Sequence, residues 1–316
     1  MSKQIKITSV KPRSLTPSSG VTVDPLQTES YAMPGTKPAF VFVHGGFVCQ
    51  SIWRLVIPLL EARGHVARAL DLPGSGAHAK VPVAYGKRPL DAKAFATEPS
   101  PKANITQEER TQAVVSLVEE TARETGGPVV LVGQSLGGLT VTAVAEAIPD
   151  QLRAIVYISA FLQSPGTPAI ALMQHATMAS AVMPSLFLAD PQVVGACRID
   201  FLSDDAEYRA RIKTALCGDI SDADFSSILA AATCDEPAGV MLVPAHITAE
   251  RFGRVPRHYV RCLEDRAIPL QGQDFMIAAA DSALGSQTHT YALAASHFPF
   301  FSQPKALSDI LLGVAA

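Results

Sequence analysis

Gly133-Gln134-Ser135-Leu136-Gly137 sets a serine between two glycines directly after the apolar run Pro128–Val132. A G-x-S-x-G pentapeptide with a strand before it and a helix after it puts the serine on a strained strand-to-helix turn, hydroxyl outward. Such a hydroxyl attacks a carbonyl only when a base takes its proton and a carboxylate holds the base in the right tautomer. On this kind of turn the partners are expected in the chain order serine, acid, histidine. Of the eight histidines only His289 and His297 follow the last interior strands, and His289 opens a strand. His297, in Ala-Ser-His-Phe-Pro just past a strand, is the expected base. Asp265, in Leu263-Glu-Asp-Arg266, is the expected acid, and Glu264 is the alternative if the strand boundary slips by one residue. Asp71 also ends a strand but precedes the serine, and reads as a turn residue.

A fourth element is needed for the charge that develops on the attacked carbonyl. His44-Gly45-Gly46-Phe47 follows an apolar strand, and backbone N–H groups there, unencumbered by large side chains, can face an oxyanion. The amides of Gly46 and Leu136 are the expected pair of donors. His44 reads as a structural residue beneath that loop, and the single tryptophan, Trp53, as core.

These groups can meet only if the chain returns each of them to one edge of a sheet. Ala39–Val43 is apolar and β-branched or aromatic, the pattern of a strand covered on both faces. A helix over Ser51–Arg63 closed by Gly64, a strand at His65–Leu70 and a turn at Asp71–Gly76 follow. Residues 77–104 hold no steady period and are too long for an ordinary connection, which predicts a functional loop. Thr106 and Glu109 have capping-box spacing and predict a helix from there to about Glu124. The strand at 128–133, the helix reaching about Ile148 and a strand at 152–160 complete three strand-then-helix units, the rhythm of an open, mostly parallel α/β sheet. The rhythm lapses over residues 163–255, read as an inserted helical cap. It resumes with a strand at His258–Leu263, a helix at Gln271–Leu284, a strand at His289–Leu293 and a closing helix at Pro304–Leu312. The expected organisation is an extended lead-in over 1–37 with a short strand at Gln4–Thr8, a core of 38–162 and 256–316, and the cap.

Composition narrows the partners. With 316 residues, 48% of them apolar and 17% charged, the chain has ample core material and is not a disordered one. The net charge of −3 gives no basic field for a phosphate backbone, so nucleic acid is not an expected partner. No apolar run approaches the ~20 residues of a membrane span. Five scattered cysteines form no C-x-x-C pair and no zinc-like cluster, so neither a disulfide framework nor a metal is expected. The N-terminal MSKQIKITSV has no apolar leader, which predicts a cytoplasmic protein or an exported one already trimmed.

Taken together, FVFVHGG at 40–46, Trp53 with PLLEARGH at 58–65, ALDLPGSG at 69–76, VVLVGQSLGG at 129–138, ERFGRVPRHYVRCLEDRAIP at 250–269 and Ser296-His297 resemble the α/β-hydrolase superfamily. Within it they resemble the branch of plant methylesterases, salicylic-acid-binding esterases and hydroxynitrile lyases. The resemblance implies that fold with an inserted helical cap, Ser135 as nucleophile, His297 as base, Asp265 as acid, and the amides of Gly46 and Leu136 as oxyanion hole. Lyases of the branch carry a threonine after the first-strand histidine and a lysine after the catalytic one. Gly45 and Phe298 stand there instead, which disfavours lyase chemistry. The GHSxG of the methylesterases is GQSLG here, and the 77–104 segment is longer than in the plant members. Residues and resemblance predict a serine hydrolase that opens a small hydrophobic or aromatic carboxylic ester, or a lactone, with water and no cofactor. A ligand-binding receptor on a hydrolase scaffold and a hydrolase of amide or C–C bonds are the alternatives.

Overall fold

Strand-forming, wholly apolar segments need cover on both faces, and the helices packed on the sheet provide it. The computed structural model describes residues 37–316, so the expected lead-in and its strand at Gln4–Thr8 lie outside the described residues. The first half of the sheet is β1 (Phe40–Val43), β2 (Ala67–Ala69), β3 (Val129–Ser135) and β4 (Leu152–Ala160), interleaved with helices α1 (Ile57–Glu61), α2 (Ala92–Thr97), α3 (Gln107–Thr125) and α4 (Gly137–Ala147). After β4 come the short helices α5 (Ala169–Met173) and α6 (Pro191–Val194), then α7 (Ala206–Leu216), α8 (Asp222–Ala231) and α9 (Gly239–Leu242). In the same stretch β5 (Ala196–Arg198) and β6 (Asp235–Pro237) pair antiparallel. The chain closes with β7 (Arg257–Cys262), α10 (Leu270–Leu284), β8 (Thr288–Leu293), α11 (Pro299–Ser302) and α12 (Pro304–Ala315).

The expected parallel α/β architecture forms: six strands in the order β2-β1-β3-β4-β7-β8, every neighbouring pair parallel. β1, β3 and β4 are apolar over most of their length, and Phe40–Val43 and Val129–Val132 are fully buried, each such side chain contributing ~1.5–3 kcal/mol. β1 sits beside β3 with Val43 opposite Gly133, so the loops after both strands emerge side by side at the carboxyl edge.

Local chemistry explains the boundaries. α3 begins with the full capping box, Thr106 Oγ1 accepting the Glu109 N–H at 3.1 Å and Glu109 accepting the Thr106 N–H at 2.8 Å. The helix expected over Ser51–Arg63 divides into a 3₁₀ turn at Gln50–Leu55 and α1. Pro58 has no N–H to give the preceding turn and is tolerated only in the first turn of a new helix.

The 77–104 segment has structure of its own, including α2 capped by Asp91, and none of its residues lines the cavity above Ser135. It grips the antiparallel β5–β6 pair instead. Arg198, fully buried, pairs with Asp235 at 2.7 Å and donates to the carbonyls of Phe95 and Glu98. Lys102 Nζ donates to Thr233 Oγ1 at 2.9 Å and to the Asp235 carbonyl at 3.1 Å. Burial pushes the Lys102 ammonium below its ordinary range. The expected functional loop therefore buttresses this strand pair. Among the described residues, no helix is long and apolar enough to cross a membrane.

Candidate active site

β3 ends on Ser135, whose φ of 51° lies in the left-handed region that a side chain adopts only under constraint. The constraint is crowding: a Cβ on Gly137 would stand 2.6 Å from the His44 carbonyl oxygen, and one on Gly133 2.8 Å from Val141 Cγ1. The flanking glycines let α4 start against the β1 loop, which turns the Ser135 side chain outward.

Asp265 and His297 come from the loops after β7 and β8. His297 Nδ1 lies 2.6 Å from Asp265 Oδ2, with both side chains buried. The other carboxylate oxygen accepts the N–H groups of Ala267 at 2.7 Å and Ile268 at 2.8 Å, and Ser159 Oγ donates to Oδ2. So fully bonded a carboxylate is pinned in orientation, and it holds the imidazole by Nδ1. Glu264, the alternative acid, is exposed, and His289 is exposed on the edge strand β8.

Nε2 of His297 has a partner the sequence did not announce. Gln134 Nε2 lies 3.0 Å from it and 3.3 Å from the His297 carbonyl oxygen. No hydrogen bond joins the Ser135 hydroxyl to the imidazole, although both residues line one cavity. Gln134 fits because Gly45 has no side chain: a Cβ there would stand 2.3 Å from Gln134 Oε1.

The loop after β1 is set by its buried histidine. His44 Nε2 accepts the Leu72 N–H at 3.0 Å while Nδ1 donates to the Gly45 carbonyl at 2.7 Å. Burial pushes its pKa down to about 4. His44 is thus a neutral bracket beneath the loop, and Trp53 is core. Phe47, next along, is also left-handed, with φ of 64°.

Ser135, His297, Gly46 and Leu136 all face a cavity of about 330 Å³. Its walls are mostly apolar, with Phe161, Met173, Met178, Phe187 and Met241 from the β4–β7 segment and Phe298 beside the histidine. One carboxylate, Glu236 of β6, also reaches the wall. It is buried and paired with Arg110 of α3 at 2.7 Å. A larger groove of about 690 Å³ between α3, α4 and residues 240–247 contains neither Ser135 nor His297. Among the described residues no three His, Cys, Asp or Glu side chains converge as a metal site.

The roles of Gln134, Ser159 and Glu236 were not anticipated. Glu236 left a trace, since Asp235-Glu236 stands after residues 225–234, which carry no charge. Carboxylates set in so apolar a stretch have to be buried with partners.

A serine on a strained strand-to-helix turn, with an acid-bound histidine on the same cavity, recurs in one large group of proteins, and the sequence profile of the alpha/beta hydrolase family matches residues 40–310. The chain belongs to that family. Among its relatives, Methylesterase 2 of Arabidopsis thaliana is 27% identical over 288 residues, covering 88% of this chain and 96% of the relative. Salicylic acid-binding protein 2 of Nicotiana tabacum is 27% identical over 283 residues, covering 87% and 96%. The crystal structure of a pyrethroid hydrolase from Sphingobium faniae JZ-2 superposes with a TM-score of 0.69 at 21% identity, covering 88% of this chain and 97% of that one. The first two relatives are of the methylesterase and salicylic-acid-binding branch that the motifs resemble. Where the lyases of the branch have threonine, this hydrolase-family chain has Gly45, whose missing side-chain volume is taken by Gln134. Where they have lysine, it has Phe298, buried against Phe300 with ring centroids 5.1 Å apart.

Proposed function

We propose that the protein is a carboxylic ester hydrolase that acts through an acyl-enzyme on a small hydrophobic or aromatic ester, or a lactone. Ser135 Oγ attacks the carbonyl carbon as His297 Nε2 takes its proton, Asp265 holds the imidazolium, and the amides of Gly46 and Leu136 receive the oxyanion. His297 then hands the proton to the departing alcohol. Water, deprotonated by the same nitrogen, cleaves the acyl-enzyme to the carboxylic acid and restores Ser135. Residues 163–255 are the cap that roofs the site and selects the acyl or aromatic group. The observation that carries this reading is that Ser135, at a left-handed φ, shares an apolar cavity with a histidine bonded to Asp265 at 2.6 Å.

The names of the relatives support the same class: a methylesterase and a pyrethroid hydrolase act on esters. A binding-only receptor is the second reading, favoured by one observation, that the Gln134 amide and not Ser135 meets His297 Nε2. A panel of acyl-graded and aryl esters with lactones, run on wild type and Ser135→Ala, tests the first reading. Turnover by wild type and none by the variant is expected, and equal turnover by both would sink it. Absence of a fluorophosphonate adduct on Ser135 would favour the receptor.

A further inference from the structure

The oxyanion loop does not hold itself in place. Phe47, adjacent to Gly46, sits at φ 64°, a conformation that a bulky residue keeps only when its surroundings over-determine it. Both polar groups of its backbone are taken by residues from the β4–β7 segment. Its N–H donates to Glu236 Oε2 at 3.2 Å, and its carbonyl accepts the Thr233 N–H at 2.8 Å. Its ring packs edge-on against Phe201 at 5.7 Å. Glu236 also touches the loop directly, since a Cβ on Gly46 would stand 3.2 Å from Glu236 Cγ.

We propose that Glu236 is a positioning residue for the oxyanion hole: by accepting the Phe47 N–H it fixes the peptide that aims the Gly46 amide into the cavity. The proposal rests on the ester-hydrolase reading above. A bare carboxylate beside the place where negative charge develops would raise the barrier, and Arg110 at 2.7 Å removes that objection. The pair gives the loop a strong acceptor with little net charge. Thr233, the other jaw, is held from behind by Lys102 at 2.9 Å and is followed by the Arg198–Asp235 pair at 2.7 Å. The clamp is therefore anchored to the 77–104 segment, and the oxyanion loop takes its shape from outside the sheet that carries Ser135.

Three variants test it by steady-state kinetics on an activated ester, with thermal melting of each. Glu236→Ala removes the acceptor. Outright loss of an oxyanion donor lowers turnover ~10²–10³-fold, so a donor left in place but misaimed is expected to cost about 10–100-fold in kcat, with KM within about threefold. Glu236→Gln keeps an acceptor for Phe47 and is expected to recover most of kcat. Arg110→Met with Glu236→Leu replaces the buried pair by apolar packing, which preserves folding in comparable cases, and is expected to melt near wild type and stay as slow as Glu236→Ala. Wild-type kcat in Glu236→Ala or in the double variant overturns the proposal, as does a Glu236→Gln enzyme that is fully folded and equally slow. Full activity in Ser135→Ala would instead remove the reading beneath it, so the two failures are distinguishable.

Discussion

The side-chain amide of Gln134 stands 3.0 Å from Nε2 of His297, the nitrogen that would take the serine proton. With Nδ1 committed to Asp265, Nε2 is an acceptor, and the amide N–H occupies its lone pair. Ser135 can deliver its proton only after that contact opens. Gln134→Ala removes the competitor, so fluorophosphonate labelling of Ser135 is expected at the wild-type rate or faster. Labelling a hundredfold slower would show instead that the amide holds the imidazole productively.

Gly45 leaves the room that this amide fills. A Cβ there would lie 2.3 Å from Gln134 Oε1 and 2.8 Å from Ser135 Cβ. Gly45→Ala is therefore expected to lower kcat/KM by about 100-fold, the scale of loss that a misplacement of about 1 Å produces, and to lower the melting temperature as well, because the crowded neighbours must shift. Gly45→Thr with Phe298→Lys should give no cyanohydrin cleavage, because the threonine has no space beside Gln134; cyanide release from mandelonitrile is the assay.

Asp265→Asn keeps the shape and loses the anion that fixes the tautomer. Turnover is expected to fall about 10³–10⁴-fold with KM little changed. Glu264→Gln, altering an exposed side chain, should leave the rate alone. If the two variants behave alike, Asp265 is not the acid.

His44 links stability to pH. Its folded pKa of about 4 lies below the 6.5 of a free histidine, so the unfolded chain binds the extra proton first as the solution is acidified. The stabilisation is complete above pH 6.5 and is lost as pH falls from there toward 4, amounting to about 3 kcal/mol for this one group. Half-buried His258, pushed down to about 4 by burial and then by His289, adds in the same direction. The melting temperature should drop over that window, and less steeply in His44→Gln.

Arg198→Met strands Asp235 without its partner. Breaking a buried pair costs about 3–5 kcal/mol, or roughly 5–10 °C in melting temperature. Adding Asp235→Leu should recover much of the loss. Calorimetry of both variants checks it.

What could be read from the sequence was whatever one segment specifies alone. β4 occupies the expected 152–160, and the capping box of Thr106 and Glu109 starts α3 where the spacing placed it. Asp265 and His297 follow their strands, so two residues far apart in the chain could be paired by topology. Relations that depend on what packs against a segment were hidden. The 77–104 segment reads as a functional loop because it lacks a period, yet Arg198, far along the chain, donates to its carbonyls and ties it to the β5–β6 pair. Gln134 looked interchangeable within its motif, because only the fold shows that Gly45 vacates the volume its amide takes.

The clamp on Phe47 and the apolar wall come from different parts of the same inserted stretch. Thr233 and Glu236 are locked to the 77–104 segment and α3, whereas Ile170, Met173, Met178, Met183 and Phe187 belong to α5 and the turns after it. Catalytic geometry and substrate preference can thus drift independently. Libraries confined to residues 170–187 should shift acyl selectivity while the rate on an optimal ester survives, which makes that stretch the place to re-engineer this scaffold.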